Sequence, residues 1–213
     1  MLVGVIGVGG RRVIVGSVII HHHHVSPTPH THTPHTPPKQ EAAALKGEVT
    51  ELSRLEIRVG KIVDIERHPD ADTLYVEKID VGESEGPRTI VSGLVKYQTE
   101  AAMKGRPVVV LCNLKPRAMR GVTSHGMLLC ASNDDHSEVV PLAPPEGATV
   151  GDLITVEGHA SAPEPPGNRA GKAYDRVAEE LFVDEEGRAT FKGVPFMVGA
   201  GAVTGAIKKG KIS

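Results

Sequence analysis

Three cations, Lys115, Arg117 and Arg120, crowd into the stretch N-L-K-P-R-A-M-R-G-V-T-S-H, from Asn113 to His125, which carries no carboxylate. A guanidinium grips two oxygens of a phosphate or carboxylate with a planar fork, whereas an ammonium acts as a point charge; together they suit an anion brought by a partner. Asn113 and Ser124 add neutral hydrogen-bonding groups, and Met119 and Met127 add thioethers suited to packing as well as to contact. A solvated charged face would show the same residues, so the balance of charge around them matters. The whole chain has a formal net charge of −2, yet from Gly86 to Ser132 seven cations (Arg88, Lys96, Lys104, Arg106, Lys115, Arg117, Arg120) stand against Glu100 alone. That pattern excludes a uniformly basic nucleic-acid binder and leaves one local anion-binding surface.

Other chemistry finds less support. His68, Asp70 and Asp72 place an imidazole beside two carboxylates, but H-P-D-A-D is also what a tight turn requires. No glycine-rich phosphate loop with its lysine occurs, and G-V-I-G-V-G-G near the start lacks the acidic residue and βαβ unit of a dinucleotide site. The two cysteines, Cys112 and Cys130, fall in apolar runs without finger spacing, which predicts buried, reduced thiols, no metal and no catalytic nucleophile. No cofactor is predicted.

The basic stretch must be held by something rigid. Val108 to Cys112 and Met127 to Cys130 are short apolar runs bounded by turn residues and read as core strands at its two ends. Upstream, Leu55 to Ile65 and Leu74 to Val81 alternate apolar with polar residues, with Gly60 as an expected bulge. Thr89 to Gly93 gives a third strand and Tyr97 to Lys104 a short helix. The order β-β-β-α-β-β predicts a mainly β protein, an OB-fold five-stranded barrel over 52–157, whose oligonucleotide-binding loops join the first strand to the second and the fourth to the fifth. The basic stretch is the second of these loops, and His68 to Thr73 is the first. Aromatic residues make up 3% of the chain, without tryptophan. A nucleic-acid partner is therefore expected to be held through phosphates and shape more than by stacking.

Residues 158–213 read as a small C-terminal α+β subdomain packed on the barrel, because so short a piece has little core of its own. It comprises a Pro-rich connector to Gly171, a helix from Ala173 to Phe182 and a hairpin from Thr190 to Val198. Residues 1–46 read as a disordered, low-complexity leader. Arginines interrupt its Gly/Val/Ile-rich start, so no membrane span is predicted, and H-H-H-H-V-S-P-T-P-H-T-H-T-P-H-T-P-P resists packing. It reads as a targeting segment, a linker or metal-binding tract, or an incorrectly assigned start of the reading frame.

Taken together, L-S-R-L-E-I-R-V-G-K-I-V, H-P-D-A-D-T-L-Y-V-E, V-S-G-L-V, N-L-K-P-R-A-M-R-G-V-T-S-H-G-M and F-K-G-V-P-F resemble the tRNA-binding domain of endothelial-monocyte-activating polypeptide II. The same module ends some eukaryotic tyrosyl- and methionyl-tRNA synthetases. The resemblance covers Leu52 to the C-terminus. It implies a noncatalytic protein that binds tRNA without strong sequence preference and assists an aminoacyl-tRNA synthetase. It further implies a cytoplasmic monomer in which the C-terminal piece imitates the second subunit of a dimeric relative. Asn113, Lys115, Arg117, Met119, Arg120, Ser124 and Met127 match the family's binding-loop motif and are the expected tRNA-binding residues. A protein-interaction scaffold or cytokine-like module on the same fold is the alternative. R-V-G-K-I-V-D (Arg58 to Asp64) resembles the heptapeptide tied to cytokine activity, but Asp64 stands where the family has Thr, and that activity is not carried over. The family's lysine cluster before the C-terminal helix is here Asn168-Arg-Ala-Gly-Lys172. Lower affinity, or reliance on Lys208, Lys209 and Lys211, is expected from that departure.

Overall fold

The structure, a computed structural model, describes residues 47–213; the leader expected over 1–46 lies outside the described residues. A first sheet is built from β1 (Ile57–Arg67), β2 (Tyr75–Asp80), β3 (Arg88–Ser92), β4 (Pro107–Leu111) and, beyond a hairpin of β5 (Arg117–Met119) and β6 (Val122–Ser124), β7 (Met127–Leu128). Its strands run antiparallel in the order β3-β2-β1-β4-β7. The two edges meet where β3 reaches the chain just before β7: the His125 N–H donates to the Thr89 carbonyl (2.9 Å) and the Val91 N–H to Ser124 Oγ (3.0 Å). That closure makes the mainly β, five-stranded OB barrel expected from the strand order.

Two expected details fall elsewhere. The break in β1–β2 register lies between Ile62 and Asp64, not at Gly60. Gly60 serves close packing instead, since a Cβ there would stand 2.9 Å from Ile79 Cγ2 and 3.2 Å from Val110 Cγ2. The helix between β3 and β4 shrinks to α1 (Glu100–Met103), because Thr99 caps it by accepting from the Ala102 N–H (3.3 Å) and the chain turns back at Lys104.

The apolar run Met127 to Cys130 is broken at Leu129. β7 stays in the barrel sheet, while β8 (Cys130–Ser132) crosses into a second one. The second sheet adds β9 (Val139–Pro141), β10 (Thr155–Val156), β11 (Leu181–Val183), β12 (Ala189–Phe191), β13 (Val194–Val198), β14 (Gly201–Ala202) and β15 (Lys211–Ile212). Its order is β10-β13-β12-β11-β15-β8-β9, with β14 on β13. Strands from both sides of residue 157 thus share one hydrogen-bonded sheet. The helix α2 (Asn168–Val177) begins earlier than expected, straight after Pro165, Pro166 and Gly167, and gives way to a 3-10 turn at Ala178–Glu180 before β11.

These two sheets explain the uninterrupted apolar run in β4. Val108 and Val110 face the barrel interior with Ile62, Ile65, Tyr75, Ile79, Ile90 and Leu128. Val109 and Leu111 face a second core with Leu129, Ala173, Val177, Leu181, Phe191, Phe196 and Ile212. A strand buried on both faces has no polar alternation to show.

Candidate nucleic-acid interface

The expected basic loop is a β-hairpin. Arg117 pairs with Ser124, Ala118 with Thr123 and Met119 with Val122, and Arg120 and Gly121 form the turn with φ of 49° and 91°. Positive φ at both central residues is the type I′ geometry that matches strand twist. Glycine adopts it freely, whereas at Arg120 it costs roughly 1 kcal/mol. Lys115, Arg117 and Arg120 are exposed, and none forms an ion pair among the described residues. Ala118 and Thr123, beside them, are exposed too.

An isolated two-stranded hairpin is marginal in water, so its rigidity must be borrowed from the barrel. Four side chains supply it. Arg88, its side chain only 16% exposed, donates from Nη1 to the carbonyls of Cys112 and His125 (2.9 Å to the latter), tying the two feet of the hairpin together. Glu83 holds the other side of that guanidinium, accepting from Nε at 2.6 Å and from Nη2. The Arg88 hydrogen bond keeps the Glu83 carboxyl below its ordinary range. His68 is buried in the loop between β1 and β2. Its Nδ1 accepts from the Asp70 N–H (3.0 Å), so Nε2 carries the proton and donates to the Met119 carbonyl (3.0 Å). The imidazole therefore works as a strut between the two binding loops.

The remaining two struts, Asn113 and Ser124, are contact residues by the sequence pattern, but they lie buried beneath the surface. Asn113 has no exposed surface. Its carbonyl accepts from the Glu56 N–H (3.0 Å), and its amide donates to the carbonyls of Arg54 (2.8 Å) and Glu164 (2.9 Å). Ser124 is also buried; its Oγ accepts from the Val91 N–H and donates to the Gly126 carbonyl (3.0 Å). Met119 is half-buried on the hairpin, and half-buried Met127 packs against the second core. Of the expected residues, then, the structure brings Lys115, Arg117 and Arg120 to one exposed hairpin and places Asn113 and Ser124 under it. Arg88, one of the seven cations of the basic stretch, is an internal tie instead, and an arginine at the start of a core strand is the sequence signal for it.

The other cations of the basic stretch divide similarly. Lys104 pairs with Asp64 (2.9 Å), and Arg106 donates to the Pro141 carbonyl (3.3 Å). Lys96 sits over the Tyr97 ring, 5.4 Å from its centre. In the C-terminal region Lys209 pairs with Glu185 (2.9 Å) and Lys211 with Glu179 (2.8 Å), so two of the three tail lysines are neutralised. Burial pushes the free thiols of Cys112 and Cys130 up to about 12, which leaves them inert. Among the described residues no three His, Cys, Asp or Glu side chains gather as a metal site, and no helix is long and apolar enough to cross a membrane.

A closed OB barrel that mounts an unpaired cationic hairpin at its fourth-to-fifth strand connection defines the class: a binding module of the oligonucleotide-binding type. Comparison with known proteins narrows it. Residues 57–153 match the family model described as "Putative tRNA binding domain". The crystal structure of the C-terminal domain of Plasmodium vivax p43 superposes with a TM-score of 0.71 at 36% identity, covering 76% of this chain and 98% of that one. The chain belongs to this tRNA-binding domain family, with the endothelial-monocyte-activating polypeptide II-like proteins and the C-terminal domains of tyrosyl- and methionyl-tRNA synthetases. A rice (Oryza sativa subsp. japonica) protein named "Probable methionine--tRNA ligase" is 50% identical over 70% of this chain and 19% of its own length. Cytoplasmic tyrosine–tRNA ligase of Danio rerio is 48% identical over 76% of this chain and 31% of its own. The aminoacyl tRNA synthase complex-interacting multifunctional protein 1 of Mus musculus is 45% identical over 75% and 51%. The chain thus spans from about a fifth to about half of the length of these curated relatives.

Proposed function

We propose that the protein is a noncatalytic tRNA-binding protein of the cytoplasm that holds tRNA largely by shape and phosphate contacts and assists an aminoacyl-tRNA synthetase. Lys115, Arg117 and Arg120 contact phosphates; Asn113, Ser124, Met119 and Met127 fix the hairpin that presents them. The observation that carries this reading is the unpaired state of the three hairpin cations on a rigid mount, in a family whose model is a tRNA-binding domain. A monomer is part of the proposal, since the second sheet is completed within one chain.

The test replaces Lys115, Arg117 and Arg120 together with Ala and measures affinity for total tRNA against salt. Each phosphate contact adds about 0.9 to the slope of log K against log salt on a duplex, so the slope should fall by about two to three. An unchanged affinity and slope would falsify the assignment of the site.

A further inference from the structure

Beside the hairpin lies a groove of about 460 Å³, within the ~300–1,000 Å³ typical of small-ligand sites. Its walls are the rings of Pro87, Pro116 and Pro166 with Leu114, and its polar edge carries Glu83, Glu85, Arg88, Thr89 and His125. The walls are tied in place. Leu114 and Gly167 form a bridge, the Gly167 N–H donates to the Asn113 carbonyl (3.1 Å), and Arg88 fixes the carbonyls of Cys112 and His125.

Most of the polar groups are already engaged. Glu83 is spent on Arg88, the Arg88 guanidinium on Glu83 and two carbonyls, and the Thr89 hydroxyl accepts from Lys78 Nζ (2.7 Å). The exposed His125 imidazole and the exposed Glu85 carboxylate have no partner among the described residues. Glu85 repels a phosphate but accepts from an amino group, the proline rings offer apolar C–H faces to a base, and the imidazole offers a flat π face. Lys115 and Arg117, the exposed chain neighbours of Pro116, adjoin this wall and can meet the phosphates of the nucleotide whose base enters it.

Resting on the reading proposed above, we infer that this groove takes one unpaired, amino-bearing base of the bound RNA, while the hairpin cations hold the phosphates beside it. Recognition then includes stacking, supplied by prolines and a histidine instead of the scarce aromatic rings.

The test uses the full chain and an RNA stem-loop with one 2-aminopurine in its single-stranded tail. Binding should quench the 2-aminopurine fluorescence. His125→Ala should weaken affinity about fivefold, the low end of base–ring stacking, lessen the quench and leave the salt slope unchanged. Glu85→Gln should leave the slope unchanged as well. If Glu85→Gln steepens the slope, a phosphate occupies the groove and the inference is overturned. It is equally overturned if binding leaves the fluorescence unaltered, or if His125→Ala binds as tightly as the parent, while the hairpin triple variant still loses slope. If the triple variant keeps its slope, it is the RNA reading itself that fails. Circular dichroism of each variant separates these outcomes from misfolding.

Discussion

Among the described residues the same turn occurs twice. Met119-Arg120-Gly121-Val122 joins β5 to β6, and Phe191-Lys192-Gly193-Val194 joins β12 to β13; in both, a cation and then a glycine take positive φ. Their surroundings differ. The second hairpin is part of an eight-stranded sheet, all three residues of β12 are buried, and Lys192 rests over the Phe191 ring, 5.4 Å from its centre. Several cations around it are matched: Arg188 binds Asp184 at 2.7 Å, and Lys209 and Lys211 have glutamate partners. The first hairpin forms a two-stranded sheet of its own and keeps its cations unpaired. Identical turn chemistry thus gives a structural joint in one half and a charged surface in the other. The difference lies in what the flanking strands bury, not in the turn.

The cores differ in the same sense. The barrel half buries the large polar side chains of His68, Glu77 and Asn113 together with Ser92 and Ser124, whereas elsewhere among the described residues the buried polar side chains are the small hydroxyls of Ser53, Ser132 and Thr190. Most of the polar groups buried in the barrel half brace the first hairpin, as an exposed element without a core of its own requires. The comparison is broken most directly by charge removal. Lys172, Lys192 and Lys208 in the C-terminal half also lack ion pairs among the described residues. Their triple Ala variant should change the tRNA salt slope by less than one unit, against the two to three expected at the hairpin. Equal losses would mean that the whole surface, not the mounted hairpin, binds RNA.

The next largest effect concerns Glu77, which is wholly buried on β2. Ser92 Oγ donates to Oε1 (2.8 Å), while Oε2 has no partner among the described residues. Burial raises its carboxyl to about 7 from an ordinary 4.5, against the opposing Ser92 hydrogen bond. Between those values the unfolded chain gives up the proton and the folded chain keeps it, so this group's contribution is complete below about pH 4.5 and is lost as pH rises through about 7. Glu77→Gln, which keeps the neutral shape, should therefore be about 3 kcal/mol more stable than the parent above pH 7 and equal to it at low pH. Urea unfolding at several pH values checks this; parallel curves for the two proteins would rule it out. Asn113→Ala should cost about 2 kcal/mol, since it strands the Glu56 N–H and the carbonyls of Arg54 and Glu164. Its salt slope should match the parent's, because Asn113 itself reaches no solvent. A slope reduced at unchanged stability would return Asn113 to the contact surface.

The barrel was legible in the sequence because β1 and β2 keep exposed residues such as Lys61, Asp64 and Lys78 between buried apolar ones, although Ile57 and Val59 face the second core and Ile62 and Ile65 the barrel interior. The position of the cations was legible because Pro116 and Gly121 punctuate a run between apolar strands. The hairpin inside that run was not, since three-residue strands that are mostly exposed leave no alternation to read. The signal present was Arg120-Gly121 itself, a cation–glycine pair of the kind found again at Lys192-Gly193. The burial of Asn113 and Ser124 was not legible, because an amide or hydroxyl beside cations reads as a ligand group; only the backbone of Glu56, Arg54, Glu164 and Val91, distant in sequence, makes them internal. Leu129 gave no sign of breaking a strand, because a residue passed between two cores is apolar either way.

The smallest expected effect isolates what the hairpin gives up for its charge. Arg120 holds a left-handed conformation that asparagine adopts with less strain, and Asn-Gly is the favoured type I′ pair. A protein shaped for stability alone would have asparagine there. Arg120→Asn should raise stability by roughly 0.5–1 kcal/mol in urea unfolding while lowering the salt slope by about 0.9. Lys192→Asn, at the matching turn of the other half, should bring a similar gain in stability with no change in slope. If both variants gain stability and neither loses slope, Arg120 makes no phosphate contact and the hairpin surface narrows to Lys115 and Arg117. If only the first loses slope, the strained arginine is kept at the tip for the contact it makes there.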